Sequence, residues 1–239
     1  MQNNGNQITI PEGGRWGGDV RKTTVQSVVG MYQGYFVRAS QYDPATVHWV
    51  TQLENILSQS YTEQCAYDFK QGFTRLDSSP VFDEDSFRKI METCVGIANI
   101  SRGVRGYVIV GITDSAETGK RVEVLHGVKP RCFHNFYVLG IDHEVSAVAK
   151  NHDQFFNFVV DKVRRSEVSE PLRSYLVSQI KAVKYYDRTV YVFESRGQDD
   201  PSRHGNVYYQ RFGSQLHEVK PDALTSFIRR YIMEQPISA

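Results

Sequence analysis

The chain has 239 residues, 40% of them hydrophobic, and 28 Lys and Arg against 27 Asp and Glu leave a formal net charge of +1. That is enough chain to bury one large core or two small ones, and too little positive charge to mark the whole molecule as a polyanion coat. No apolar run reaches bilayer length, no secretory leader opens the sequence, and the scattered cysteines Cys65, Cys94 and Cys132 argue for reduced thiols, so the expected location is the cytoplasm.

Residues 1–30 are rich in Asn, Gln, Gly, Thr and Ser, with glycine pairs at 13–14 and 17–18. They read as a flexible arm or an extended segment docked elsewhere, with Trp16 as its anchor on the core or on a partner protein. The expected plan is an N-terminal extension over 1–44, one domain over 45–234 and a tail over 235–239. Val47, Val50, Leu53 and Leu57 predict a helix over 45–58, after which Cys65–Phe69 reads as a strand. Asp83 is placed to cap a helix with Glu84 and Asp85 in its first turn, and Phe87, Ile90, Met91, Cys94, Val95 and Ala98 give it one buried face.

Asn99–Gly106 is the exit loop, and the apolar run Tyr107–Ile112 predicts a strand buried on both faces. Arg121–Val124 reads as a short strand and 151–165 as a helix with Phe155, Phe158, Val159 and Val163 on one side. Leu176–Tyr185 and Thr189–Glu194 read as two strands around a hairpin turn at 186–188, and Val207–Phe212 as another strand. Pro221 opens a terminal helix with the stripe Leu224, Phe227, Ile228 and Tyr231. The sum is an α+β fold, a mixed sheet packed by helices. The histidines fall at no zinc-ligand spacing, His134 and His143 near Cys132 included, and a surface or structural role is expected for them.

Four landmarks in order carry a family likeness. They are the segment Glu63 to Lys70, with its acid–x4–acid–Phe–Lys pattern; Ala98-Asn99 at a helix end; the strand Gly106 to Asp114, followed by His126-Gly127-Val128; and the pair Thr189–Glu194 and Val207–Ser214, the latter with Tyr209, Arg211, Gly213 and Ser214. Together they resemble the Schlafen-type AlbA_2 domain family over roughly residues 55–232, which implies one such lobe. The chain departs from the family pattern in having Asp68 where Glu is common, a longer loop over 100–106 with Arg102 and Arg105, and a longer stretch over 129–150.

The resemblance implies that Glu63, Asp68 and Asp114 form a catalytic and metal-binding set, with Mg or Mn as cofactor and Lys70 beside the phosphate or the attacking water. The implied activity is a metal-dependent endonuclease acting on structured RNA such as tRNA, in a bacterial setting an antiviral or toxic effector. The alternatives are a non-catalytic DNA- or RNA-binding regulatory module and an assembly or adaptor domain that docks through residues 1–30. Because animal relatives join two lobes around a cleft, a homodimer is also implied.

Strand periodicity places Asp68 and Lys70 on one face, and the odd offset of Glu63 puts it before the strand. Asp114 sits just past an apolar strand, where a carboxylate can reach solvent. The same three acids also fit solvated or capping roles. Arg102 and Arg105 fit either a phosphate-holding loop or a solvated one. Arg211, with Tyr208, Tyr209 and Phe212, fits a base-stacking surface or ordinary sheet packing. Lys162, Arg164 and Arg165 are explained by the helix dipole. Gly103 and Gly106 do not make a Walker loop.

Overall fold

The computed structural model describes residues 2–3, 6–7, 44–59, 65–77 and 81–233. Trp16, most of the N-terminal arm, Glu63 and the tail from 234 lie outside the described residues. The chain divides into two units, residues 1–51 and 52–239. In the first, β1 (Gln2–Asn3) and β2 (Asn6–Gln7) pair antiparallel. Helix α1 (Pro44–Gln59) begins in the first unit and ends in the second.

The second unit is α+β. Its main sheet contains β3 (Tyr67–Lys70), β4 (Arg105–Val110), β8 (Lys181–Tyr185) and β9 (Arg188–Arg196) in the order β3-β4-β9-β8. It is mixed: β3 and β4 run parallel, while β9 is antiparallel to both its neighbours. Helix α2 (Glu84–Ala98) covers one face. Asp83 caps it as predicted, accepting from the Asp85 N–H and the Ser86 hydroxyl. Val108, Val110, Tyr191 and Phe193 meet Ile90, Met91 and Cys94 of α2 in the core, together with Val145 of the short α4 (Val145–Val148), Phe155 and Val159 of α5 (His152–Arg164) and Leu172 and Leu176 of α6 (Leu172–Gln179). On the opposite face Gln52 donates to the Tyr107 hydroxyl at 3.1 Å and the Tyr185 hydroxyl donates to Glu54 at 3.2 Å, with Leu53, Ile56 and Leu57 of α1 buried.

A glycine ends β4. Gly111 has φ +103, a conformation closed to side chains, and its Cα lies so near Gly140 that an added Cβ would stand 3.1 Å from it. The bend sends β5 (Ile112–Thr113) into a second sheet with β6 (Arg131–Phe133) and β7 (Phe136–Val138), ordered β5-β7-β6. A third sheet holds β10 (Arg203–His204), β11 (Val207–Phe212) and β12 (Gln215–Glu218), and α7 (Pro221–Met233) follows with Phe227 and Tyr231 buried.

Two predicted strands are corrected. Arg121–Val124 lies inside α3 (Ala116–His126), where Ser115 caps the Thr118 N–H and Gly127 closes the end at φ 67. The alternation that suggested a strand is a helical fragment with Val122 buried and Val124 77% exposed. Residues 176–180 belong to the end of α6 and its cap, and the strand starts at Lys181. The Asn99–Gly106 loop also gives up Arg105 and Gly106, the first two residues of β4.

Candidate functional site

Period-2 alternation sets the site. Tyr67 and Phe69 turn to one face of β3, where Phe69 meets Phe136 with ring centroids 4.7 Å apart. Asp68 and Lys70 turn to the face covered by α2, opposite Val108 and Val110 of β4. There Asp68 Oδ1 accepts from Arg211 Nη1 at 3.0 Å and Oδ2 faces Lys70 Nζ at 2.6 Å. The Asp68 carboxylate is buried, Arg211 is 1% exposed and Lys70 is 32% exposed.

Arg211 comes from β11, 143 residues away in the chain. Its Nη2 also donates to the carbonyls of Tyr67 at 3.3 Å and Ser214 at 3.1 Å, so one planar fork ties β3 to the β11–β12 turn. Two features hold β11 at this distance. Asn99, buried at the end of α2, donates to the carbonyls of Ser202 and Tyr209 and accepts from the Ser202 N–H, each at 2.8 Å. Gly96 lets the strand pair approach the helix, since a Cβ there would lie 2.4 Å from Leu216 Cδ1 and 3.2 Å from Arg211 Cγ. Removing one member of such a buried pair costs about 3–5 kcal/mol, because the other charge is left uncompensated.

The ion cluster opens onto a cleft of about 660 Å³, lined also by Arg88, Lys89 and Glu92 of α2. One carboxylate against two cations gives Asp68, Lys70 and Arg211 a combined charge of +1, and Arg88 and Lys89 add two more cations against Glu92 and Glu218. Cys94 lies behind the pair, fully buried. Burial first, and the Asp68 carboxylate second, push its thiol pKa far up, so it packs and does not act as a nucleophile.

The structure thus brings together Asp68, Lys70 and Arg211 of the expected set. Asp114 is exposed, between β5 and the cap of α3, and does not line the cleft. Arg102 donates to the Asp199 carbonyl at 3.0 Å and to the Tyr231 carbonyl, its guanidinium 5.8 Å from the Tyr231 ring centre. Arg105 shares the Tyr107 face of β4, opposite to Asp68, and its Nε stands 3.9 Å from Glu194. Glu63 lies outside the described residues. Arg88, Lys89 and Glu92 were not singled out in the sequence; their i, i+3 and i+4 spacing on α2 was the available signal.

No family model and no curated protein matches the chain. Among solved structures it is similar to the crystal structure of the DIP2311 protein from Corynebacterium diphtheriae, at 14% identity and a TM-score of 0.43. That match covers 75% of this chain but 28% of the other, so the chain spans well under half of that protein's length.

A resident Mg or Mn ion needs several hard oxygen ligands. Among the described residues no group of three or more His, Cys, Asp or Glu side chains gathers around one point. Asp68 turns both oxygens to cations, and Asp114 lies outside the cleft. Of the three expected acids, Asp68 lines the cleft, Asp114 does not, and Glu63 lies outside the described residues. No described helix is long and apolar enough to cross a membrane.

Proposed function

We propose that the domain binds nucleic acid, RNA in preference to DNA, and takes a backbone phosphodiester into the cleft at Asp68, Lys70 and Arg211. The observation that carries this reading is the buried Asp68 held between two cations, which leaves positive charge fixed at a solvent-open cleft. Asp68 acts as the brace. Lys70, the most exposed of the three, is the group that a phosphate oxygen meets first, and Lys89 extends the contact. Ordering these cations before the ligand arrives lowers the cost of binding. The RNA preference rests on the likeness to Schlafen-type domains.

Binding to tRNA, single-stranded DNA and duplex DNA is the test, read over a salt series. Lys70→Ala and Lys89→Ala each lower the slope of log K against log salt by about one. Binding that is independent of salt, or unchanged in both variants, overturns the reading.

A second reading, a divalent-metal-dependent endonuclease, is favoured by the 2.6 Å Asp68–Lys70 pair on one strand face. It expects Mg or Mn to drive cleavage that EDTA stops, and Asp68→Asn and Asp114→Asn to abolish turnover while binding survives. Undiminished cleavage by both variants removes it.

A further inference from the structure

The histidines were expected to be scattered surface or structural groups, but the fold brings two of them together. His126 ends α3, immediately before the left-handed Gly127, and His143 sits in the loop after β7. Their ring centroids are 4.9 Å apart with a 36° tilt. His126 Nε2 and His143 Nδ1 are both shut away from solvent, and among the described residues neither has a hydrogen-bond partner. A buried ring nitrogen without a partner is costly, and two on neighbouring rings call for a shared ligand.

We propose that His126 and His143 together bind one divalent transition-metal ion of the zinc class, with water completing its coordination. The ring spacing fits. With metal–nitrogen bonds of about 2.0–2.1 Å, two imidazoles on one tetrahedral ion have centroids roughly 5 Å apart. The ligand chemistry fits as well. Imidazole suits zinc, cobalt and nickel and binds in its neutral form through a ring nitrogen lone pair. The His143 side chain is 9% exposed, so it needs no large desolvation step to meet an ion.

Glu144 stands 4.0 Å from His143 Nε2 but is committed to the N–H groups of Phe73 and Thr74, which leaves it behind the ligand ring as a support. Among the described residues no third metal-binding side chain joins the pair. With two ligands among the described residues, the site binds moderately. An ion there fastens the end of α3 to the loop that carries Glu144, and through Glu144 to the segment leaving β3. This proposal is independent of nucleic-acid binding, since neither histidine lines the Asp68 cleft.

The test uses the full chain stripped with EDTA and dialysed free of it, titrated with Zn²⁺ by calorimetry and with Co²⁺ by visible absorption. The expected result is one equivalent bound, a Co²⁺ absorption band and a raised Tm. His126→Gln, at a half-exposed helix end, and His143→Ala each weaken binding by roughly tenfold or more. Circular dichroism confirms that both variants fold; if His143→Ala does not, His126→Gln decides alone. No saturable binding below about 1 mM, which marks an affinity too weak for a built site, overturns the proposal and leaves a bridging water only. Binding of unchanged affinity in His126→Gln also overturns it, because the metal then sits on other histidines.

Discussion

The two most deeply buried carboxylates among the described residues, Asp68 and Glu144, are stabilised in opposite ways. Asp68 has two cations against it, Arg211 at 3.0 Å and Lys70 at 2.6 Å. Among the described residues Glu144 has no salt bridge to Lys or Arg; it accepts from the Phe73 N–H at 2.8 Å and the Thr74 N–H at 3.4 Å. Burial raises the Glu144 pKa from the ordinary 4.5 to about 7, with the Phe73 N–H, the Thr74 hydroxyl and the Thr74 N–H opposing the rise. The difference teaches where charge is put to use. At Asp68 the surplus is positive and faces a cleft; at Glu144 the carboxyl fastens a loop from inside and changes protonation near neutrality.

Removing the charge at Asp68 is the strongest way to break this comparison. Asp68→Asn leaves Arg211 buried without its counter-ion and lowers stability by about 3–5 kcal/mol, read from urea unfolding. Asp68→Asn combined with Arg211→Met costs less than the sum of the single variants. A purely additive cycle would show that the pair is not coupled.

The pH dependence tests the other half. Because the Glu144 pKa is higher in the folded chain than in the unfolded one, the folded state binds the extra proton. The stabilisation is fully present below pH 4.5 and is lost as pH rises through about 7, a change of about 3 kcal/mol across that window. Thermal unfolding in chelator-containing buffers should show this slope in the wild type and its loss in Glu144→Gln. An identical slope in both proteins would place the titration elsewhere.

A smaller effect comes from the ground beneath Glu144. A Cβ at Gly72 would stand 1.8 Å from Glu144 Oε1, so Gly72→Ala should destabilise by about 2 kcal/mol, and by clearly less when Glu144 is also Ala. Equal costs in both backgrounds would mean that the backbone, not the carboxyl, is what resists. The smallest change in stability is expected for Lys70→Ala, under about 1 kcal/mol, since its ammonium is partly solvated. If Lys70→Ala unfolds the chain, Lys70 is part of the brace and not a ligand-facing group.

Local signals made much of the fold legible. The Asp83 cap with Glu84 and Asp85 marked α2, and the apolar run 107–112 marked the end of β4 and β5. Residues 186–188 marked a turn, which forms with Tyr186 at φ 53. The period of 2 placed Asp68 beside Lys70. What was not legible depends on distance along the chain. Nothing near Arg211 says that it crosses to Asp68, and nothing near His126 says that it meets a ring after β7. At 121–124 two valines two apart outweighed the stronger evidence of Ser115 and Gly127 at the ends. At 176–180, Leu176, Val177 and Ile180 form an apolar run that serves a short helix as well as a strand. The acids divided in the same way: Asp68 is fixed by Lys70 of its own strand and by Arg211 of β11, while Asp114 sits in the local turn between β5 and α3.

Asn99 has a consequence for how the chain ages. Its amide nitrogen is the sole part of the side chain that can satisfy the carbonyls of Ser202 and Tyr209, and a carboxylate differs from it by one atom. A molecule that loses this nitrogen while unfolded would return to find oxygen facing oxygen in the place where the α2 terminus is fastened. Refolding should therefore sort fresh molecules from deamidated ones, leaving the latter in the insoluble or unfolded fraction by mass spectrometry. Their recovery in native yield would show that the fastening has slack.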